Sequence, residues 1–371
     1  MAPRKKKNLV IDDFGYVFSL VENFRAATIR GINTNLLMCY WNIGAYISAK
    51  IHDAGWGDKV VKELADYLKL HNPKLRGFGK RNLYNMVKFY EVYHSNEFQK
   101  IAASFEKSEF VQLSTAQITA NPIVQFENAQ LHVVPSILTV TTFTNHVEIL
   151  NRCGTYEERL FYILYSAQQR LKTEELRRCI VTQTFETLLS KEKKLSPSML
   201  KAYPTAEFML KDKAFLDFLK LPQKHNEHHL HAGLLEHMKE FILELGKDFI
   251  FMENEYPVQV GGSIKRIDML FFHRALQCLV AIELKVVDFE PEFVSKMDMY
   301  LEALDRDVKR ENENPSIGII LCPSADKSMV EYTLSRSLSP TMIAEYKQKL
   351  IPVDVMKKSL QEYCEFLGKI K

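Results

Sequence analysis

The sequence predicts a multidomain protein, a mostly helical N-terminal half with a helix-turn-helix-like segment joined to an α/β half built on a mixed central sheet. Three observations predict it. The chain has 371 residues, more than one ordinary domain uses. Apolar residues recur at three- and four-residue steps over about residues 15 to 70 and again from Tyr156 to Leu189. After residue 247 the pattern changes to short β-rich runs separated by turns and helical stretches. With 46% hydrophobic and 26% charged residues and only 14 Gly and 13 Pro, the composition excludes collagen-like, low-complexity and wholly disordered chains.

Phe18, Val21, Phe24, Ala27 and Ile32 carry the first helical stripe. A second amphipathic segment, residues 58 to 70, places Val60, Val61, Leu64, Leu68 and Leu70 on its apolar side. It breaks at His71-Asn72-Pro73, passes Gly77-Phe78-Gly79, and resumes as a helix over residues 80 to 93 with Leu83, Met86, Val87 and Tyr90 inward. Helix, Gly-containing turn and helix is the grammar of a helix-turn-helix. Lys80, Arg81 and Lys88 could reach phosphates there, and Asn82 or Asn85 could reach a base edge, with a plain helical hairpin as the equal alternative. Charge distribution leans the same way, since the first 100 residues hold 16 Lys and Arg against 9 Asp and Glu while the whole chain is only +3. Part of that excess is the tip Arg4-Lys5-Lys6-Lys7, which reads as a solvated end.

Residues 101 to 140 lack a clear period and read as an insertion or connector. Residues 191 to 204, rich in Lys, Ser and Pro, read as a linker, so the expected domains are 1–195 and 205–371. In the second domain a helix over 227 to 245 should stop at Gly246. Strands are expected at 249–251, 256–260, 264–272 and 278–287, then a helix (291–304), an apolar strand (317–322), a helix (326–337) and a short terminal region.

No stretch approaches the roughly 20 apolar residues that span a bilayer, and Asp12 and Asp13 interrupt any leader-like apolar run, so a cytoplasmic protein without a membrane partner is expected. The six Cys are scattered with no CxxC pair, which points to small core residues. Five of the 11 His (225, 228, 229, 231 and 237) cluster near one helix start; a zinc site there is the less favoured reading, and a polar helix start the more favoured.

The chemistry concentrates between Ile267 and Lys285. Two β-rich runs flank a polar turn at His273 to Gln277, and a hairpin centred between Ala275 and Leu276 sets Asp268 opposite Glu283. Opposed side chains lie about 5 Å apart at Cβ, close enough to share a divalent cation. Side chains alternate along a strand, so Lys285 projects with Glu283. Two unpaired carboxylates in an apolar hairpin repel one another, and Mg²⁺ or Mn²⁺ would neutralise them. Asp268, Glu283 and Lys285 are therefore the candidate catalytic residues of phosphodiester hydrolysis, Asp268 and Glu283 also as metal ligands, with Lys285 placed to position a water or to offset transition-state charge. An acid two residues before a Lys occurs four times in the chain, and only the 283/285 copy closes an apolar strand with an Asp across from it. The plain alternative is a salt bridge of Lys285 at a sheet margin.

The strings Tyr40-Trp41-Asn42-Ile43-Gly44, Gly55-Trp56-Gly57, Gly77-Phe78-Gly79-Lys80-Arg81-Asn82-Leu83 and Glu157-Glu158-Arg159-Leu160-Phe161-Tyr162 resemble the N-terminal domain of YhcG-type nucleases of the PD-(D/E)XK superfamily. So, for the C-terminal nuclease domain, do Phe241-Ile242-Leu243-Glu244-Leu245-Gly246, Ile267-Asp268-Met269-Leu270-Phe271-Phe272-His273, Ile282-Glu283-Leu284-Lys285 and Phe289-Glu290-Pro291-Glu292-Phe293. The resemblance covers nearly the whole chain. It implies a restriction-endonuclease-like α/β domain, a metal-dependent endonuclease acting on DNA, and a homodimer by analogy, with Asp268, Glu283 and Lys285 at the motif positions. Lys296 falls where relatives usually carry Gln, and His231 where a Glu on the helix before the sheet is expected. Those departures motivate one alternative, an inactive DNA-binding or adaptor protein on a nuclease scaffold. An RNA-directed nuclease is another, since the metal site does not inspect the 2′-hydroxyl.

Overall fold

A computed structural model describes residues 14–18, 21, 32–105, 132–189, 193–219, 226–347, 362–363 and 365–367. The basic tip, Phe24, Ala27, residues 106–131 of the expected insertion, His225 and Cys364 lie outside the described residues. The chain divides into two compact units between Leu176 and Arg177, upstream of the 195–205 junction expected from the sequence.

In the first unit, helix α1 (Ile32–Ala54) is buried along much of its length through Leu37, Trp41, Ile43 and Ile47, as its long apolar run requires. Helix α2 (Asp58–His71) buries Val61, Leu64 and Leu68, and α3 (Lys80–His94) buries Leu83, Met86, Val87, Phe89 and Tyr93. Leu70, expected on the inner side of α2, is instead 77% exposed at the end of the helix. Gly44 fixes how closely α1 and α3 cross, because a Cβ there would overlap the Met86 carbonyl oxygen. Helix α4 (Asn96–Phe105) follows α3. Thr142 and Thr155 accept N–H bonds from Asn145 and Glu158, capping α5 (Phe143–Arg152) and α6 (Tyr156–Gln168). The helical pattern expected to run to Leu189 breaks into α6, α7 (Thr173–Val181), within which the division between the units falls, and α8 (Thr184–Leu189) of the second unit, with Arg170 and Gln183 at positive φ between them.

The second unit is a six-stranded sheet in the order β1-β6-β5-β4-β3-β2. Strands β2 (Phe249–Val260), β3 (Ser263–His273) and β4 (Cys278–Leu284) form an antiparallel meander; β4, β5 (Asn314–Cys322), β6 (Thr341–Lys347) and β1 (Lys213–Phe215) pair in parallel. The sheet is mixed, with a helical layer on each face. One face packs Met269, Phe271, Val280 and Ile282 against Leu230, Leu234 and Phe241 of α10 (Glu227–Glu236) and α11 (Met238–Leu245). The other packs Leu270, Leu279, Ala281 and Ile320 against Val294, Met297 and Leu301 of α12 (Glu292–Ala303), and Val330 and Leu334 of α13 (Lys327–Leu334). Gly318 on β5 leaves room for the Met297 side chain.

Several sequence expectations need correction. Residues 193 to 204 are no linker. Leu195 bridges Met342, Ser196 N–H donates to the Thr341 carbonyl at 2.9 Å, and α9 (Pro197–Ala202) packs through Met199. Residues 227 to 245 form two helices that break at His237, and the stop at Gly246 (φ +125) holds. The runs 249–251 and 256–260 are one strand with an irregularity after Phe251, and β4 ends at Leu284 rather than residue 287. Strands β1 and β6 were not anticipated.

Candidate active site

The β3–β4 ladder pairs His273 with Cys278 and Met269 with Ile282, the register of a hairpin turning between Ala275 and Leu276. The β3–β4 ladder stops at the Met269 and Ile282 pair. The next backbone donor, the Leu284 N–H, bonds to Oδ2 of Asp268 at 2.7 Å, so a carboxylate replaces a backbone acceptor where the strands part. Lys285 lies beyond the strand, but its N–H donates to the Leu321 carbonyl at 2.8 Å, which continues the alignment with β5. Strand alternation places Asp268 with Leu270, and Glu283 with Leu279 and Ala281, on the sheet face covered by α12.

Glu283 is 1% exposed. Its Oε1 accepts from Lys285 Nζ at 2.7 Å and from Lys296 Nζ, which arrives from α12. Its Oε2 is buried with no hydrogen-bond partner among the described residues. Burial, then the neighbouring Glu283 charge, push the Asp268 carboxyl up to about 6, against the Leu284 N–H and the two ammonium groups, which act to lower it. Burial opposes the ammonium forms of Lys285 and Lys296, but hydrogen bonding and attraction to Glu283 outweigh it and raise both. Lys285 Nζ also lies 3.4 Å from Glu227 Oε1 and 5.3 Å from the centre of the Phe293 ring. Lys296 Nζ sits 5.4 Å from the Tyr300 ring centre, and the Tyr300 hydroxyl donates to the Arg266 carbonyl at 2.6 Å.

The structure thus brings Asp268, Glu283 and Lys285 to one spot. His231, which stands where a Glu is expected, also approaches it, its Nε2 lying 3.2 Å from the Asp268 carbonyl oxygen. Sequence reading missed Glu227, which approaches the site through Lys285. The available signal was spacing, because positions 227 and 231 are one turn apart on a helix and share a face.

Among the described residues, which include the histidines at 228, 229, 231 and 237, no group of three or more His, Cys, Asp or Glu is arranged to hold a metal ion. The Asp268 and Glu283 pair does fit a hard divalent cation. It offers oxygen donors, one of them the orphaned Glu283 Oε2, and Mg²⁺ is commonly held by one or two carboxylates while it keeps several waters.

The N-terminal candidates are more dispersed. Lys80 Nζ pairs with Asp58 Oδ2 at 3.0 Å, Lys88 Nζ donates to Asn151 Oδ1 at 3.1 Å, and Arg81 is exposed. The Asn82 amide donates one N–H to the Gly77 carbonyl and closes the loop. The connection between α2 and α3 spans residues 72 to 79, longer than the three or four residues of a helix-turn-helix turn.

Residues 207–362 match the family model for the YhcG PDDEXK nuclease domain, and residues 16–187 match that for the DUF1016 N-terminal domain. A protein of Escherichia coli (strain K12) described as "Putative nuclease YhcG" is 29% identical over 346 residues, covering 90% of this chain and 89% of that one. A solved repair endonuclease from Pyrococcus abyssi is 20% identical and covers 35% of this chain and 50% of its own, at a TM-score of 0.23.

Proposed function

Because the chain belongs to the YhcG-type PD-(D/E)XK nuclease family, we propose that it is a divalent-metal-dependent endonuclease that hydrolyses phosphodiester bonds of DNA, with Asp268, Glu283 and Lys285 as its catalytic residues. Residues 205–371 are the nuclease domain, and residues 1–195 bind the nucleic acid. The observation that carries this reading is the buried Glu283 carboxylate, held on one oxygen by two ammonium groups and on the other without a partner among the described residues, beside an Asp whose proton is held unusually tightly. A carboxylate pair is costly to bury without a cation to compensate it.

Asp268 and Glu283 would hold Mg²⁺ or Mn²⁺. Such an ion, when bound, lowers the pKa of a coordinated water and offsets charge on a phosphoryl oxygen. The Leu284 N–H fixes the Asp268 carboxylate so that its rotamer does not have to be selected on binding. Lys285, kept protonated by Glu283, is an electrostatic partner for the charge that develops on the phosphoryl oxygens, rather than a proton acceptor. In the first domain, Lys80, Arg81 and Lys88 meet backbone phosphates, while Asn82 shapes the loop that presents them. Two copies of the chain would supply two centres for a double-strand cut, and the cytoplasm is the compartment we assign.

Labelled single- and double-stranded DNA and RNA, incubated in parallel with the full-length protein and Mg²⁺, test this. DNA should be cut, and Asp268→Ala, Glu283→Ala and Lys285→Ala should each abolish cutting. Activity that survives all three removes these catalytic residues, cutting of RNA alone corrects the substrate, and salt-sensitive DNA binding without products favours the adaptor alternative.

A further inference from the structure

Glu283 Oε1 is shared by two ammonium groups of different standing. Lys285 is enclosed, its side chain 11% exposed, and its backbone is tied to β5. Lys296 reaches in from α12 with 41% of its side chain exposed, resting on the Tyr300 ring. Its long, flexible stem lets the ammonium move several ångströms by rotamer changes alone. The two lysines crowd one oxygen, while the other oxygen of the same carboxylate has no hydrogen-bond partner among the described residues.

This step rests on Asp268 and Glu283 being the cation's seat. We infer that Lys296 is a tethered competitor for the divalent cation, its ammonium neutralising Glu283 in the metal-free protein and withdrawing when the ion engages that carboxylate. Two like charges against one buried carboxylate repel strongly, so the state with Lys296 docked is the state that binds metal poorly. Metal affinity is then reduced by the fraction of molecules in which Lys296 is docked. A nucleic-acid phosphate is the anion suited to receive the withdrawn ammonium. Substrate and metal accordingly bind cooperatively, since each gains when Lys296 leaves Glu283. The device limits metal loading until nucleic acid is present.

Calorimetric titration of the full-length protein with MnCl₂ tests the inference without any turnover. Lys296→Gln and Lys296→Met should each lower the Mn²⁺ Kd by about tenfold or more. Lys309→Gln, which removes a charge whose ammonium only donates to the Glu313 carbonyl, should leave it unchanged. A duplex with non-hydrolysable phosphorothioate linkages should tighten Mn²⁺ binding by a larger factor in the wild type than in Lys296→Gln. The inference is overturned if wild type and the 296 variants share one Kd, if Lys309→Gln tightens binding equally, or if the 296 variants bind no Mn²⁺. Asp268→Asn in the Lys296→Gln background separates the two levels. Loss of Mn²⁺ binding there upholds the seat even where Lys296 has no effect, whereas binding that persists removes the seat itself.

Discussion

The Leu284 backbone N–H donates to the Asp268 carboxylate at 2.7 Å, at the point where the β3–β4 ladder gives out. One side chain therefore terminates the sheet pairing and occupies the position proposed for the cation's seat. Its proton is held at about 6, above the usual value near 3.8, so the folded protein binds that proton more readily than the unfolded chain. The linked stability is complete below about pH 4 and is lost as pH rises through about 6. Asp268→Asn keeps an oxygen acceptor for Leu284 without the charge. In chelator it should stabilise the second unit at pH 7.5 by about 3 kcal/mol and have little effect at pH 4, read by far-ultraviolet circular dichroism during chemical denaturation. A destabilised Asn variant at pH 7.5 would mean that the charge is not strained there.

Gly44 tests the crossing of α1 and α3. Ala at this position forces the Met86 carbonyl to shift, which costs about 1 to 3 kcal/mol by overpacking. Gly154→Ala, whose Cβ would meet nothing within 4 Å, should cost far less. Both tryptophans of the chain, Trp41 and Trp56, are buried in the first unit, so fluorescence reports on that unit specifically. Equal thermal midpoints for the two variants would contradict the close crossing.

His146 is fully buried, with Nε2 donating to the Leu138 carbonyl at 2.8 Å and Nδ1 lying 3.4 Å from the Tyr93 hydroxyl. Burial holds its pKa down at about 4, below the usual 6.5. The unfolded chain takes up the proton first, so stability is intact above about pH 6.5 and declines as pH falls toward 4, by about 3 kcal/mol from this group. Urea unfolding followed by tryptophan fluorescence at pH 7.5, 5.5 and 4.5 should show this decline, and His146→Gln should flatten it. An unchanged pH slope in the variant would assign the decline to other groups.

Much of the second unit was legible in the sequence because a short polar turn between two apolar runs leaves one dominant register, and alternation then fixes which side chains meet. Asp268, Glu283 and Lys285 converge for that reason. The three residues of β1 and the whole of β6 were not legible. Their parallel pairing depends on partners more than 100 residues away in the case of β1 and β6 themselves, and no local period encodes it. His237 carries no helix-breaking signature such as Pro or Gly, so the division of α10 from α11 is a tertiary effect. Position 296 was identifiable as a departure from relatives, but its contact with Glu283 depends on how α12 packs on the sheet. The bond from the Asn82 amide to the Gly77 carbonyl was not legible either, because it depends on how the 72–79 loop folds back.

Arg81 and Lys88 should behave as phosphate contacts. Arg81→Ala and Lys88→Ala should weaken duplex binding similarly across sequences, and each should reduce the salt dependence of the affinity by about one unit of slope. Asn82→Ala should lower the thermal midpoint of the first unit and leave that slope intact. Fluorescence anisotropy at several salt concentrations decides this, and unchanged slopes for the first two variants would remove α3 from the interface.

Anomalous diffraction at the manganese edge, from crystals of the full-length protein soaked in Mn²⁺, tests the cation's seat most directly. A peak within bonding distance of carboxylate oxygens from both Asp268 and Glu283, absent in Asp268→Asn, is the expected result. A fully occupied peak elsewhere with none at this pair would show that the two acids are not a metal centre.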